Sequence, residues 1–361
     1  MTILAGKIGE EISQLGLFTH KKDDSGKKMT IDSLGVSKTF NTQKYAKELP
    51  KMIEVFLKEN FDKSRYEDIY GACFGIEGPV KNNEQAEISR ENFKATFNVR
   101  EFRQKLPYKT VPGAFINDME AIGYGIFLGD GEDGLEELYS GKQQALLQDR
   151  RALMLVSKGL GQALWYWNEK KKRFSPISSE AGHADFAPRT EKEIALFYYL
   201  KKEEPDRPIS YEQVLSSPGL VRICKFLQST GEYENQHPNN ADAIIQKAVQ
   251  GDSLCKEALK MFISIWGAEA GNMALRYKAE GGIYIGGISI PIEILREDDT
   301  FLNAFTYKER SFKTYNEGIS VKVFKEQDDE EQALVMWGAA RYALEEGFVG
   351  EGKFAIKREQ M

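Results

Sequence analysis

The chain has few of the residues that cross-link small proteins or bind transition metals, with only three cysteines and three histidines among 361 residues. Cys73, Cys224 and Cys255 are far apart, odd in number and without a paired spacing. This pattern argues against a disulfide framework and against a cysteine-bound zinc. It predicts buried free thiols in a protein of the reducing cytoplasm.

Long apolar runs and an excess of basic residues are also missing. No apolar run reaches the roughly 18 residues that a membrane span needs, and the net charge of -6 argues against nucleic acid as the main partner. The first residues, Met1–Gly6, lack a basic region followed by a long apolar segment, so they predict a strand and not a signal peptide. We therefore expect no membrane and no nucleic-acid partner.

The composition is that of a soluble globular protein, with 41% hydrophobic and 29% charged residues. Its length exceeds one ordinary core, which predicts two domains. Apolar runs of strand length alternate with segments of helical periodicity, as is typical of α/β proteins. The expected division is a small α/β domain of residues 1–120 with 330–361, and a large α/β domain of residues 121–329.

The local patterns predict individual elements along the whole chain. Strands are expected at residues 3–6, 15–20, 36–40, 70–76, 111–117, 152–157 and 282–289, with a hairpin of 163–168 and 173–178. Helices are expected at residues 42–60, 98–105, 118–128, 190–203, 218–229, 240–250, 253–278 and 330–346. A tight turn is expected at Lys7-Ile8-Gly9, and a break of the longest helix at Gly267 or Gly271.

The densest polar cluster lies in residues 179–188, where Glu180, His183 and Asp185 fall within six residues. Carboxylates accept hydrogen bonds and imidazole donates or accepts them, which is the mixture that a polyol requires. The cluster therefore indicates a sugar site. Two alternatives stay open: the three side chains could form a facial metal set, or Asp185 could only orient His183 or cap the turn before Pro188.

A second polar pair, Asn117-Asp118, follows the apolar strand that ends at Ile116. Open α/β sheets bind their ligands where a strand passes into a helix, and the helix dipole there favours an ionised carboxylate. Asp118 is thus the candidate general base, since phosphoryl transfer to an alcohol needs an acceptor for the hydroxyl proton. Plain N-capping of the helix is the competing interpretation.

Glycine-containing turns border apolar strands at residues 6–9, 157–161, 281–282 and 286–287. Glycine lets backbone amides approach a phosphate closely. Taken one at a time, such turns are ordinary connections between strands.

The order of these features resembles the bacterial glucokinase family of the hexokinase/actin-like (ribonuclease H-like) fold, over residues 3–346. The most specific matches are Phe115–Asp118, Glu180–Pro188, Tyr211–Leu220, Gly271–Leu275 and Gly281–Ile288. Related sugar kinases and repressors with a cysteine-bound zinc match less well, because these cysteines are scattered. The resemblance implies a two-domain α/β fold with an interdomain sugar cleft, and a cytoplasmic transferase of glycolysis that uses ATP and Mg.

The resemblance also implies roles for individual residues. The implied partner is glucose or another hexose, and a homodimer is compatible with the resemblance. Asp118 is implied to be the base for the 6-hydroxyl of the sugar. The implied sugar ligands are Asn117, Asp118, Glu180, His183 and Glu212. The implied nucleotide-binding glycines are Gly9, Gly159, Gly161, Gly286 and Gly287.

The two phosphate loops depart from the family pattern. Where the family has Asp-x-Gly-Gly-Thr, this chain has Lys7, Glu10 and Glu11, and where it has Gly-Thr-Gly the chain has Ser157-Lys158-Gly159. Two unit charges about 4 Å apart interact by ~4 kcal/mol at a surface-like dielectric, so glutamates facing a polyphosphate would repel it. Lysine could offset this, or Lys7 and Lys158 could pair with the two glutamates.

Three functions therefore remain open at this stage. The first is an ATP-dependent glucokinase that tolerates its unusual loops. The second is a pseudoenzyme that binds a hexose and acts as a sensor or partner subunit. The third is a sugar kinase that uses another phosphoryl donor.

Overall fold

The computed structural model describes residues 2–22, 29–60, 69–90, 93–106, 111–128, 134–233, 237–324 and 330–346. The chain divides into two compact units, one of Met1–Asp133 with Gln327–Met361 and the other of Gly134–Glu326. Each unit contains its own mixed sheet, so the predicted α/β class is confirmed. The boundary expected at residue 120 falls inside a helix, Asp118–Phe127, and the tail from residue 347 lies outside the described residues.

The described elements are numbered in chain order. The strands are β1 Thr2–Ile8, β2 Ile12–Lys22, β3 Met29–Asn41, β4 Ile69–Ile76, β5 Val80–Lys81, β6 Gln85–Arg90, β7 Phe93–Asn98, β8 Gly113–Asn117, β9 Leu135–Tyr139, β10 Arg151–Val156, β11 Leu160–Asn168, β12 Arg173–Ser179, β13 Ile283–Gly286 and β14 Val321–Phe324. The helices are α1 Lys51–Asn60, α2 Val99–Gln104, α3 Asp118–Phe127, α4 Glu191–Glu203, α5 Tyr211–Val214, α6 Ser217–Ser229, α7 Ala241–Val249, α8 Ser253–Tyr277, α9 Ile292–Arg296, α10 Thr300–Thr306, α11 Ser311–Gly318 and α12 Glu330–Glu345.

The main sheet of the first unit has the strand order β3-β2-β1-β4-β8. Strands β1 to β3 are antiparallel neighbours, whereas β1, β4 and β8 run parallel. Helix α12 packs on β1 and β4 and against α3. A Cβ at Gly338 would lie 1.6 Å from the carbonyl oxygen of Ala121, so only glycine permits this close approach of the two helices.

Two predictions in the first unit need correction. β1 continues through Lys7 and Ile8 because both residues keep pairing with β4, so the turn consists of residues 9–11. The helix expected over 42–60 is a 3-10 helix, Thr42–Tyr45, followed by α1. Pro50 directly precedes α1, and proline disfavours helical conformation in the residue before it. The small sheet β5-β6-β7 was not predicted from its short strands.

The second unit repeats the strand arrangement of the first. Its sheet has the order β12-β11-β10-β13-β14-β9, in which β10 to β12 are antiparallel and β10, β13 and β14 are parallel. The predicted hairpin of β11 and β12 is confirmed. β9 and the segment from α9 to β14 were missed. These elements are short, and β14 pairs with β9 across a long stretch of sequence.

Helix α8 is continuous over 25 residues, so the break expected at Gly267 or Gly271 is absent. A Cβ at Gly267 would lie 2.3 Å from the carbonyl oxygen of Phe301, and one at Gly271 would lie 2.4 Å from that of Phe305. The two glycines therefore let α10 pack against α8 at short range instead of interrupting the helix.

Each unit has its own apolar core. In the first unit the core includes Phe56, Phe74 and Phe115, and in the second it includes Phe262 and Trp266. The three cysteines are free and buried, as predicted. No helix among the described residues is long and apolar enough to cross a membrane.

Candidate functional site

Asn117 and Asp118 stand at the junction of β8 and α3, in the first unit. The side-chain Oδ1 of Asn117 accepts a hydrogen bond from the Met119 amide at 2.9 Å, and its Nδ2 donates to the carbonyl of Gly78 at 3.1 Å. Asn117 is thus the N-cap, and Asp118 is the first residue of the helix. The Asp118 carboxylate, partly buried at the helix N-terminus, also accepts a hydrogen bond from the Met119 amide at 2.9 Å.

Glu180 and His183 lie at the two ends of a short 3-10 turn in the second unit, Ala181–His183 with Glu180 before it. The carbonyl of Glu180 accepts a hydrogen bond from the His183 amide at 3.0 Å. A Cβ at Gly182 would lie 2.1 Å from the carbonyl oxygen of Leu160. Glycine at this position therefore lets the turn pack on the start of β11, and the side chains of Glu180 and His183 remain exposed.

Glu212 reaches the same place from α5. The segments around Asp185 and Ser210 form an isolated antiparallel bridge, which carries α5 towards the 3-10 turn. The Oε1 of Glu212 lies 3.8 Å from the Nδ1 of His183, and its Oε2 accepts a hydrogen bond from the Leu160 amide at 3.1 Å. The structure thus brings two of the predicted sugar ligands of this unit together.

The metal alternative gains no support from the geometry. Within the described part of the chain, no three side chains of His, Cys, Asp or Glu are grouped so that they could hold a metal ion. Asp185 instead belongs to the bridge with Ser210, where its backbone helps to place α5.

The glycine turn between β10 and β11 will be called the second turn; it consists of Ser157, Lys158 and Gly159. The Ser157 amide donates to the Gly159 carbonyl at 2.8 Å, and the Ser157 carbonyl accepts from the Ser217 amide at 2.7 Å. A Cβ at Gly159 would lie 2.7 Å from the Oε2 of Glu212. The turn is therefore anchored to α6 and lies directly against a predicted sugar ligand.

The turn between β1 and β2 will be called the first turn; it consists of Gly9, Glu10 and Glu11. The Glu10 amide donates to the Oε2 of Glu77 at 3.3 Å. A Cβ at Gly9 would lie 2.6 Å from the same oxygen. The Glu77 carboxylate thus accepts a hydrogen bond from a backbone amide of this turn.

The remaining glycines implicated in nucleotide binding are positioned by packing. Gly161 lies in β11, opposite Leu155. A Cβ at Gly286 would lie 2.2 Å from the ring of Phe324, and one at Gly287, whose φ is +102°, would lie 2.4 Å from the carbonyl oxygen of Val156. Both positions thus require glycine for internal reasons, close to the strand that leads into the second turn.

Two carboxylates near these sites were not identified from the sequence. Glu77 follows the buried strand β4 and precedes Gly78, and an acid at the end of a buried strand was the available signal. Glu269 is fully buried in the middle of α8, where an acid within an apolar stretch of helix was the signal. Neither belongs to a recognised motif, so each would have had to be noticed as an isolated charge.

The repeated mixed sheet, with glycine turns between its first two strands, is the arrangement of the hexokinase/actin-like fold. A sequence profile described as glucokinase matches residues 4–346. A glucokinase from Synechocystis sp. is 31% identical over 333 residues, covering 86% of this chain and 90% of that protein. The chain belongs to the glucokinase family.

Solved structures agree with this assignment. The crystal structure of a glucokinase from an Antarctic psychrotroph superimposes with a TM-score of 0.74 and 26% identity, covering 94% of this chain and 98% of that chain. A ROK family glucokinase from Streptomyces griseus, solved in complex with glucose and AMPPNP, has a TM-score of 0.58 and 16% identity, with 95% and 99% coverage. The second similarity concerns the fold alone.

Proposed function

We propose that this protein binds glucose through Asn117, Asp118, Glu180, His183 and Glu212, and that Asp118 serves as the base for phosphorylation of the 6-hydroxyl. The observation that carries the proposal is the placement of Glu212, whose two carboxylate oxygens face His183 and the second turn. Membership of the glucokinase family supports glucose as the substrate.

The proposed ligands complement a polyol in their hydrogen-bonding character. Ionised Glu180 and Glu212 accept from sugar hydroxyls, whereas the amide of Asn117 and the imidazole of His183 provide donors as well. A site built to pair each hydroxyl rejects sugars that lack one, because its polar groups are then left without a partner. Selectivity among hexoses is therefore expected to follow the hydroxyl pattern.

Asp118 has the surroundings that a base for an alcohol requires. Its backbone lies at the N-terminus of α3, where the helix dipole stabilises a negative charge. Asn117 makes the capping hydrogen bond, and the Asp118 carboxylate is partly buried. In the proposed reaction it orients the 6-hydroxyl and takes its proton as the oxygen is phosphorylated.

The family implies Mg-ATP as the phosphoryl donor, which would supply the transferred group and the metal charge that neutralises it. The residues of the first turn do not fit that donor. The Glu77 carboxylate already accepts a hydrogen bond from the Glu10 amide. Lys7 occupies the position where the family has the acid that orients the metal. We therefore propose that nucleotide binding is weak and turnover slow.

Two measurements on the purified protein test the proposal. Titration calorimetry with glucose is expected to show binding, and a coupled assay with glucose, ATP and magnesium is expected to show slow turnover. If no hexose raises the melting temperature at millimolar concentration, the sugar site is refuted.

The same measurements distinguish the two alternative functions. Binding of glucose with no turnover at all would favour the hexose-binding pseudoenzyme, for which the acidic first turn is the specific observation. Turnover that appears only with a donor other than ATP would favour the third alternative.

A further inference from the structure

Glu269 is a carboxylate with no solvent exposure, in the middle of α8. A buried charge is strongly unfavourable unless it is paired and hydrogen-bonded. Arg276, two turns further along the helix, donates to it from Nη1 at 2.6 Å and from Nη2 at 3.3 Å. Gln162 and Asn272 donate their side-chain amides at 3.1 and 3.0 Å. The carboxylate is therefore the centre of a polar network inside the second unit.

One branch of this network leads to Glu180. Gln162 lies in β11, opposite Ser179 in β12. The hydroxyl of Ser179 donates to the backbone carbonyl of Gln162 at 2.9 Å, and Ser179 is the residue directly before Glu180. Through this branch, the hydrogen bond between Gln162 and Glu269 holds β11 and, by way of Ser179, the end of β12 that leads into the 3-10 turn.

The other branch leads to Glu212. Asn272 donates its Nδ2 to the hydroxyl of Tyr211 at 3.3 Å, and Tyr211 directly precedes Glu212 in α5. The Tyr211 amide donates to the carbonyl of Ala184 at 2.9 Å, next to His183. Burial, and after it the negative charge of Glu269, raises the pKa of Tyr211 to about 12, so this hydroxyl stays protonated at neutral pH.

The orientation of the Asn272 amide is set by a further donor. Lys308, which follows α10, donates its Nζ to the Oδ1 of Asn272 at 2.9 Å and to the carbonyl of Ala268 at 3.2 Å. With Oδ1 held by a cation, Nδ2 is directed towards Glu269 and Tyr211. The motif Gly271–Leu275, singled out in the sequence, thus contributes Asn272 to this network and Gly271 to the close packing of α10.

We infer that Glu269 is a positioning residue for the sugar site, which fixes Glu180 and Glu212 relative to each other without touching the sugar. The inference rests on the proposed function, in which these two carboxylates bind glucose. Hydrogen bonds to a sugar depend steeply on distance and angle, and small displacements from remote changes reduce the efficiency of a site strongly. The two branches end at residues adjacent in sequence to the two carboxylates.

The test compares three single variants by glucose calorimetry and thermal melting. Glu269→Gln keeps the shape and removes the charge, Tyr211→Phe removes only the hydroxyl of one branch, and Glu193→Gln is the matched control. Glu193 is also a buried carboxylate paired with an arginine, Arg189, at 2.6 Å, but none of its hydrogen bonds leads to Ser179 or Tyr211.

We expect Glu269→Gln and Tyr211→Phe to raise the glucose Kd by about tenfold, the effect of losing roughly one good hydrogen bond. Glu193→Gln should lower the melting temperature and leave the Kd within about twofold. If Glu269→Gln does not fold, Tyr211→Phe decides the matter by itself. If the folded variants of Glu269 and Tyr211 bind glucose with wild-type affinity, the inference is wrong and the proposed function stands. If the wild-type protein does not bind glucose, both the proposed function and the inference are wrong.

Discussion

The first and second turns occupy the same place in the two main sheets, each joining two antiparallel strands, yet their chemistry differs. In the first turn the Glu10 amide donates to Glu77 at 3.3 Å, and directly after the second turn the Leu160 amide donates to Glu212 at 3.1 Å. Glu212 is itself a proposed sugar ligand, whereas Glu77 follows a strand and precedes Gly78, whose carbonyl accepts from Asn117. The same kind of hydrogen bond therefore involves a proposed sugar ligand in one unit and a carboxylate outside the proposed site in the other.

The charges around the two turns sharpen this contrast. The first turn gathers Glu10, Glu11 and the Glu77 carboxylate, with Lys7 in the strand before it, whereas the second turn has the exposed Lys158 beside the Glu212 carboxylate. Like charges repel an incoming polyanion and opposite charges attract it. A polyphosphate is therefore expected to meet more resistance at the first turn than at the second, which is the physical basis of the slow turnover proposed above.

The largest effect is expected from the proposed base. Asp118→Asn should reduce turnover by at least about 100-fold, because the amide cannot accept the hydroxyl proton, and should leave much of the glucose binding intact. Glu180→Gln should mainly weaken binding. Coupled kinetics and calorimetry on both variants measure this; equal loss of binding in the two would contradict the role of Asp118.

Restoring the family residues in both turns should have the next largest effect. The combined change Lys7→Asp, Glu10→Gly, Glu11→Thr and Lys158→Thr is expected to raise kcat/KM for Mg-ATP by tenfold or more. Glu10→Gly and Glu11→Thr remove two negative charges, each of which would repel a phosphate charge about 4 Å away by ~4 kcal/mol, and Lys7→Asp restores the acid with which the family orients the metal. Steady-state kinetics at saturating glucose provide the measurement. A wild-type turnover already within the usual range of roughly 1–1000 per second would defeat this prediction.

Exchanging single carboxylates tests the two turns against each other. Glu77→Gln should improve Mg-ATP affinity several-fold without changing the glucose Kd, whereas Glu212→Gln should weaken glucose binding by about tenfold. Glu87→Gln is the control for Glu77→Gln, because Glu87 lies in the same unit, partly exposed and paired with Lys94 at 3.6 Å. Identical nucleotide affinity of Glu77→Gln and the control would show that Glu77 does not obstruct the first turn.

A smaller effect concerns the packing of the 3-10 turn Ala181–His183 on the start of β11. Gly182→Ala places a methyl group 2.1 Å from the carbonyl oxygen of Leu160, and overpacking of this kind costs about 1–3 kcal/mol. Gly134→Ala is the control, since nothing lies within 4 Å of a Cβ there. Chemical denaturation of both variants should show a loss of stability for Gly182→Ala only, and equal stabilities would contradict the close packing.

The smallest effect is a pH dependence that arises at Lys308, in the polar network around Glu269. Burial, and next the repulsion from Arg189, lowers the pKa of Lys308 to about 8 from the ordinary 10.5, while Glu269 opposes and Arg276 reinforces the shift. The unfolded chain thus binds this proton more tightly, so the contribution of Lys308 to stability increases from about pH 8 to 10.5 and is constant below. Denaturation between pH 7 and 10.5 should show a flatter profile for Lys308→Met than for the wild type; superimposable profiles would refute the assignment.

Much of the fold could be predicted because its signals are local. The strand at 70–76 and the hairpin of β11 and β12 follow from apolar runs and turn residues within a few positions. Helix α8 illustrates the limit: its glycines suggested a break, but they exist because Phe301 and Phe305, some thirty residues later, pack against them. The start of α1 was misjudged although Pro50 was visible, since the periodicity of the apolar residues outweighed it.

The sequence by itself determined the α/β class, the family resemblance and the residue types of the candidate sugar site, because spacing and motif order are properties of the chain. Only the tertiary structure decided which carboxylates accept hydrogen bonds from the backbone amides at the two turns. Glu77 and Glu212 reach their turns across 67 and 52 residues. The hydrogen bonds of Glu269 extend to β11 through Gln162 and to α5 through Asn272. Such contacts depend on sheet pairing and helix packing, which bring distant residues to hydrogen-bonding distance and leave no periodic pattern in the sequence.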